Sequence, residues 1–239
     1  LGDVYKRQQM LQDALMAQRK MLIDATGKRG EDIPQAFTPY KEVLDVYDEG
    51  LELPDDVTII WPDDNYGYMK RLSSPKEQKR SGRSGVYYHS SYLGKPHDHL
   101  WMNTTSPTLM YEELRKAYDM TADRIWLLNA GDIKSCEFAV DFFLSMAYDI
   151  DSFNFDRAAT YRTEWLCGML GDEYRNEYQD VINSFYKLAF ARRPEFMGWG
   201  YQWATDKHGR ERNTDTDFSL ANYREVDTRL AEYQRIGLS

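Results

Sequence analysis

Three short apolar runs, each cut off by a polar cluster, constrain the fold of this chain more than any other feature. Val57 to Trp61 is apolar and β-branched with no alternation. That is the pattern of a strand covered on both faces, as in a parallel sheet flanked by helices. Pro62 cannot donate to a ladder and ends the run. Asp63, Asp64 and Asn65 follow at once, then Tyr66-Gly67-Tyr68. A second run, Gly85 to His89, is followed by Ser90, Ser91 and Tyr92. Behind it comes a polar, aromatic loop that holds His97, His99 and Trp101. A third, Arg124 to Leu128, leads into Asn129, Gly131, Asp132 and Lys134. In parallel α/β folds the carboxyl ends of strands are where chemistry is placed. Taken one at a time, Asp and Asn after a strand are ordinary turn and N-cap residues. It is the recurrence that gives them weight.

Helical patterns fill the gaps. Gln9 to Ala25 has the spacing of an amphipathic helix, and Thr38 to Tyr47 reads as a second, with Thr38 as cap and Pro39 at the first position. Met69 to Leu72 reads as the start of a short helix. Ser73 to Ser84 reads as a solvated loop. Thr108 to Met120 and Ser135 to Ala147 are helical patterns on either side of the third run. Alternation of this kind implies right-handed β-α units and a parallel sheet. The polar strand ends fit the C-terminal half of a (β/α)8 TIM-type barrel better than a doubly wound sheet. No Gly-rich phosphate loop follows any strand.

From Asp151 onward the period changes: helices are expected from Asn154 or Asp156 to Leu170, from Asp172 to Ala191 and from Asp217 to Ile236, Tyr201 to Asn213 is polar, and no strand signal is convincing. The expected organisation is therefore a partial barrel over residues 1–150 and an α-helical bundle over 151–239.

Composition narrows the functions. A net charge of −9 argues against nucleic acid as a partner. No apolar run approaches a membrane span. The 18 Tyr and 6 Trp offer flat apolar faces with polar edges, which suit sugar rings as well as cores. Cys136 and Cys167 make neither a disulfide framework nor a metal set, and read as buried free thiols. The chain opens Leu1-Gly2-Asp3 rather than with Met and reads as a fragment, so an export signal is not to be looked for in it.

The three strand ends, in this order and spacing and with the R-S-G-R-S-G that precedes the second, resemble glycoside hydrolase family 115, over roughly Leu53 to Asp149 and more loosely to Glu195. The resemblance implies a (β/α)8 barrel followed by a helical bundle. It also implies an inverting xylan α-1,2-glucuronidase that releases glucuronic or 4-O-methylglucuronic acid, secreted or periplasmic, with no cofactor and no metal. A homodimer is consistent with it. Inversion requires one carboxylic acid and one carboxylate on opposite faces of the sugar. Asp63 is the first candidate, then Asp64, then Asp132, whose ordinary reading is a helix N-cap. A uronate substrate needs a local cation. Lys134 is the best placed, followed by Lys95 and Arg71. Asn65 and Asn129 are suited to ring hydroxyls. Tyr66, Tyr68, Tyr92 and Trp101 could stack on sugars, and His89 completes the substrate-binding set. Two rival readings stand beside this one. One is a metal-dependent barrel hydrolase using His89, His97 and His99. The other is a carbohydrate-binding relative without activity.

Overall fold

A computed structural model describes residues 2–94, 97–196, 204–205, 211–212 and 226–238. In chain order it contains α1 (Gly2–Thr26), β1 (Ala36–Phe37), α2 (Glu42–Asp48), β2 (Thr58–Pro62), β3 (Ser84–His89), α3 (Pro107–Asp119), β4 (Ala122–Asn129), α4 (Ile133–Tyr148), α5 (Phe155–Leu170), α6 (Arg175–Ala191), β5 (Ala204–Thr205), β6 (Glu211–Arg212) and α7 (Val226–Leu238). Four strands form one sheet in the order β1-β2-β3-β4. β1 pairs parallel with β2, and β2 parallel with β3 through Ile59–Ser84 to Pro62–Tyr87. Ser84 N–H donates to Thr121 O at the start of β3, and Ser90 N–H to Asn129 O beyond its end. Residue numbers rise together, so β4 also runs parallel. β5 and β6 form a separate antiparallel pair.

The chain divides into two compact units. The first comprises Leu1–Asp64, Met69–Tyr88 and Leu114–Leu127. Ile59, Ile60 and Trp61 are consecutive, and all lie at 3 % exposure or less, so both faces of β2 are covered. Full burial of such side chains contributes roughly 1.5–3 kcal/mol each. Phe37, Leu51 and Val57 form a neighbouring core, packed by Leu11 and Leu15 of α1 and by Val43, Val46 and Tyr47 of α2. A paired contact of Arg19 with both Asp56 oxygens (2.8 and 2.9 Å) pins α1 to the approach to β2. At Gly85 in β3 a Cβ would run into the carbonyl oxygen of Ile125, so close strand approach requires glycine there.

The second unit comprises Asn65–Tyr68, His89–Glu113 and Leu128–Ser239. Its core is aromatic. Phe138 and Phe142 of α4 meet Tyr161 of α5, and Phe142 also meets Phe153. Arg162 of α5 lies over Phe138 and over Phe185 and Tyr186 of α6, with its guanidinium donating to the Tyr186 hydroxyl (2.6 Å). Asn154 caps α5 by accepting from Arg157 N–H (2.8 Å). Among the described residues no helix is long and apolar enough to cross a membrane.

Three local expectations need correction. α2 begins at Glu42, not at Thr38, because Lys41 takes a left-handed backbone (φ 53°) that breaks the Thr38-Pro39 start. Met69 to Leu72 is irregular, and the only helical turn nearby is the 3-10 turn Glu77–Lys79. There the Arg71 guanidinium reaches out to Asp48 and Glu77 instead of solvating a helix face. α6 starts at Arg175, three residues later than Asp172. The start expected at Asp217 for the last helix falls outside the described residues.

Candidate active site

In the first unit, β2 delivers the acid pair. Pro62 is its last residue, and Asp63 N–H still donates to Tyr87 O (3.1 Å), which carries the ladder one residue further. Asp63 is buried at 5 % exposure. Asp64 is more open, and Lys70 Nζ stands 3.6 Å from its Oδ2. Two adjacent carboxylates thus occupy unlike environments, a condition for two carboxyl groups to play different chemical roles. Arg71 is not a spare cation. It bonds Glu77 (2.7 and 2.9 Å) and Asp48, and lies 4.4 Å over the Trp61 ring. Burial would raise the Glu77 carboxyl, but Arg71, Ser74 and the Tyr47 hydroxyl together pull it down to about 2. This half-buried network ties the segment after β2 to α2.

In the second unit, the segments after all three strands come together. Asn129 O accepts Ser90 N–H (3.0 Å), Ser91 N–H (3.2 Å) and the Ser90 hydroxyl (3.0 Å), which ties the ends of β3 and β4. Tyr92 and His99 pair through two backbone hydrogen bonds, 2.8 and 3.0 Å. Tyr66 packs edge-on to Tyr92 and lies against His99 and Phe196. The Tyr66 hydroxyl donates to His97 O (2.9 Å).

His99 is almost fully buried at 2 %. Its Nε2 lies 2.7 Å from Asn65 O and its Nδ1 3.4 Å from Arg193 Nη1. A guanidinium only donates, so Nδ1 carries no proton and Nε2–H donates to Asn65. Burial, and then the Arg193 charge, push this imidazole down to about 3. Asn65 itself is left-handed (φ 73°), so its carbonyl is aimed by a strained turn that His99 holds.

Two residues with no signal of their own in the sequence do most of the holding. Arg193 donates to Thr104 Oγ1 (2.6 Å), Thr105 Oγ1 (3.1 Å) and Tyr66 O (2.8 Å). The Glu195 carboxylate accepts three consecutive backbone N–H groups, from Leu100 (2.7 Å), Trp101 (3.3 Å) and Met102 (2.9 Å). Arg192-Arg193-Pro194 reads in the sequence only as a helix stop, because its partners lie about ninety residues away.

The substrate-binding candidates separate by exposure. Trp101 is 55 % exposed on the held loop. Tyr66 and Tyr68 line a hollow of about 270 Å³ with Thr104, Phe190, Arg193 and Phe196. Tyr92 and His89 are buried, packed edge to face 5.7 Å apart, so their rings are taken up by the protein itself. Asp132 occupies the N-cap position of α4, but its side chain makes no cap bond. Asp132 and Lys134 are both exposed. Lys95 lies outside the described residues. Among the described residues no group of three or more His, Cys, Asp and Glu could hold a metal ion, and both ring nitrogens of His99 are already engaged.

The parallel sheet, with the Asp63-Asp64 pair at a strand end in the first unit and loops held by Arg193 and Glu195 in the second, is of the α/β class. The chain belongs to glycosyl hydrolase family 115, whose family model matches residues 3–196. Among solved structures it is similar to BtGH115A, a family GH115 4-O-methyl-α-glucuronidase with specificity for decorated arabinogalactans. The TM-score is 0.86 at 37 % identity, over 98 % of this chain and 30 % of that one. The chain therefore spans less than a third of that relative's length. No curated protein matches it.

Proposed function

We propose that this chain supplies part of the active site of an inverting glycoside hydrolase. The reaction releases glucuronic or 4-O-methylglucuronic acid α-1,2-linked to xylan. The observation that carries the reading is the acid pair Asp63-Asp64 at the carboxyl end of a strand covered on both faces. Family membership and the glucuronidase activity of BtGH115A support it. In this reading the four parallel strands are half of a (β/α)8 barrel, and residues 151 onward form a helical bundle. One carboxylate of the pair acts opposite a second carboxyl group about 6.5–9.5 Å away, the gap an inverting enzyme needs for its water. That second group is Asp132 or a residue in the part of the relative this chain does not cover. Asn65 and Asn129 bond ring hydroxyls, Tyr66, Tyr68 and Trp101 offer ring faces, and Lys134 meets the uronate carboxylate. The polymer lies outside the cell, so the enzyme works as a secreted or periplasmic protein, with a homodimer as its assembly.

The specificity of BtGH115A adds a second backbone to weigh, decorated arabinogalactan. The test is to incubate the whole enzyme with glucuronoxylan and with decorated arabinogalactan, and to measure free uronic acid. Asp63→Asn and Asp64→Asn are assayed beside it. At least one variant should lose about a thousandfold in kcat while still binding oligosaccharide. Full turnover by both variants removes the acid pair from the mechanism. Oligosaccharide binding without any release by the wild type favours the non-catalytic relative.

A further inference from the structure

The segment Arg193 to Phe196 contributes no candidate carboxylate, amide or sugar platform, yet it holds the loop after β3 through buried charge. Glu195 is 9 % exposed, and its carboxylate gathers three successive N–H groups of that loop. Arg193 spans two threonine hydroxyls of the same loop and the carbonyl of Tyr66. Phe196 adds ring contacts to His97 (4.8 Å) and Tyr66 (6.1 Å). A charged acceptor makes hydrogen bonds about twice as strong as a neutral one. A buried carboxylate left without them would be strongly destabilised. So the backbone at Leu100, Trp101 and Met102 has one setting. On that fixed backbone the Trp101 indole faces outward, 55 % exposed, although burying so large an apolar ring would ordinarily be favoured. A rigid backbone carrying an exposed flat ring is a preorganised binding element, because the ordering cost is met before the ligand arrives.

We propose that Glu195, supported by Arg193, is a positioning residue that presets Trp101 as a platform for a pyranose ring of the substrate. This rests on the glucuronidase reading above. Trp101 touches the sugar, and Glu195 acts only through it. A contact of this kind is equally good in ground and transition states, so it governs KM rather than kcat.

The variant that separates positioning from folding is Glu195→Gln. It is the same size and keeps one oxygen for Trp101 and Met102, but turns an NH2 toward Leu100 N–H. Steady-state hydrolysis of a uronosyl-decorated xylo-oligosaccharide by the whole enzyme is measured for wild type, Trp101→Ala, Glu195→Gln and the double variant. Each single variant should raise KM about tenfold with kcat within about twofold, and the double variant should be no worse than Trp101→Ala alone. If the two effects multiply, or if Glu195→Gln leaves KM unchanged, the proposal is overturned. Hydrogen exchange of the Leu100–Met102 amides provides a second reading that needs no substrate. They should be protected in the wild type and exchange at least about tenfold faster in Glu195→Gln. Unchanged exchange overturns the proposal even if the enzyme is active. A wild type that releases no uronate overturns the glucuronidase reading instead, and with it the sugar assigned to Trp101.

Discussion

Acid should destabilise this protein through one histidine. His99 is 2 % exposed, donates from Nε2 to Asn65 O and faces the Arg193 guanidinium with its unprotonated Nδ1. Burial and that charge hold it down to about 3, against an ordinary value near 6.5. The unfolded chain therefore takes up a proton below about pH 6.5, and the native chain does so only near pH 3. Between those limits the unfolded state binds more protons, so stability falls as pH falls. From pH 7.0 to 4.5 the loss attributable to His99 is about 2.5 kcal/mol, a sizeable share of ordinary domain stability. His99→Gln keeps a donor for Asn65 and cannot titrate. Urea unfolding followed by tryptophan fluorescence, at both pH values, gives the comparison. The wild type should lose about 2.5 kcal/mol more than His99→Gln, roughly 1 M in urea midpoint. If both proteins respond alike between pH 7.0 and 4.5, His99 is not held neutral by Arg193 and burial, and the tautomer assigned to it is wrong.

Three further outcomes follow from the same geometry. Glu77→Gln should cost about 2–3 kcal/mol at pH 7, because Glu77 accepts from Arg71, Ser74 and Tyr47. Its carboxyl sits near 2 in the fold, so the gap to wild type should close as pH falls from about 4.5 to 2, in urea titrations across that range. Gly85→Ala should destabilise by about 3 kcal/mol or more, since the new methyl meets the Ile125 carbonyl oxygen, and thermal unfolding would register it. Asn154→Ala should remove the α5 cap and cost about 1 kcal/mol, read by thermal unfolding.

Much of the sheet is legible in the sequence because it is written in local pattern. β2 stands out as an unbroken apolar run ended by proline, and a cap for α5 is visible at Asn154 or Asp156, of which the fold uses Asn154. β1 is two residues long, too short for any periodicity to show. The start of α2 misleads because Thr38-Pro39 has the chemistry of a helix start, whereas nothing in the residue type of Lys41 announces its positive φ. Asp63, Asn65 and Tyr66 can be picked out as residues at a strand end. Burial cannot be read in the same way, and it sets Tyr92 and His89 apart from Trp101. Arg193 and Glu195 are invisible for a different reason. Glu195 bonds backbone groups about ninety residues upstream, and a hydrogen bond to a backbone N–H leaves no imprint on the partner's identity. The threonines that Arg193 bonds are as distant, and nothing local links them to it.

The most direct test follows the configuration of the released sugar. In the first minutes of hydrolysis of an α-linked 4-O-methylglucuronosyl xylo-oligosaccharide by the whole enzyme, proton NMR distinguishes the two anomers before they interconvert. An inverting reaction at the strand-end acids should yield the β anomer first, and Asp63→Asn or Asp64→Asn should abolish its appearance. Initial release of the α anomer, or release that survives both substitutions, would contradict it.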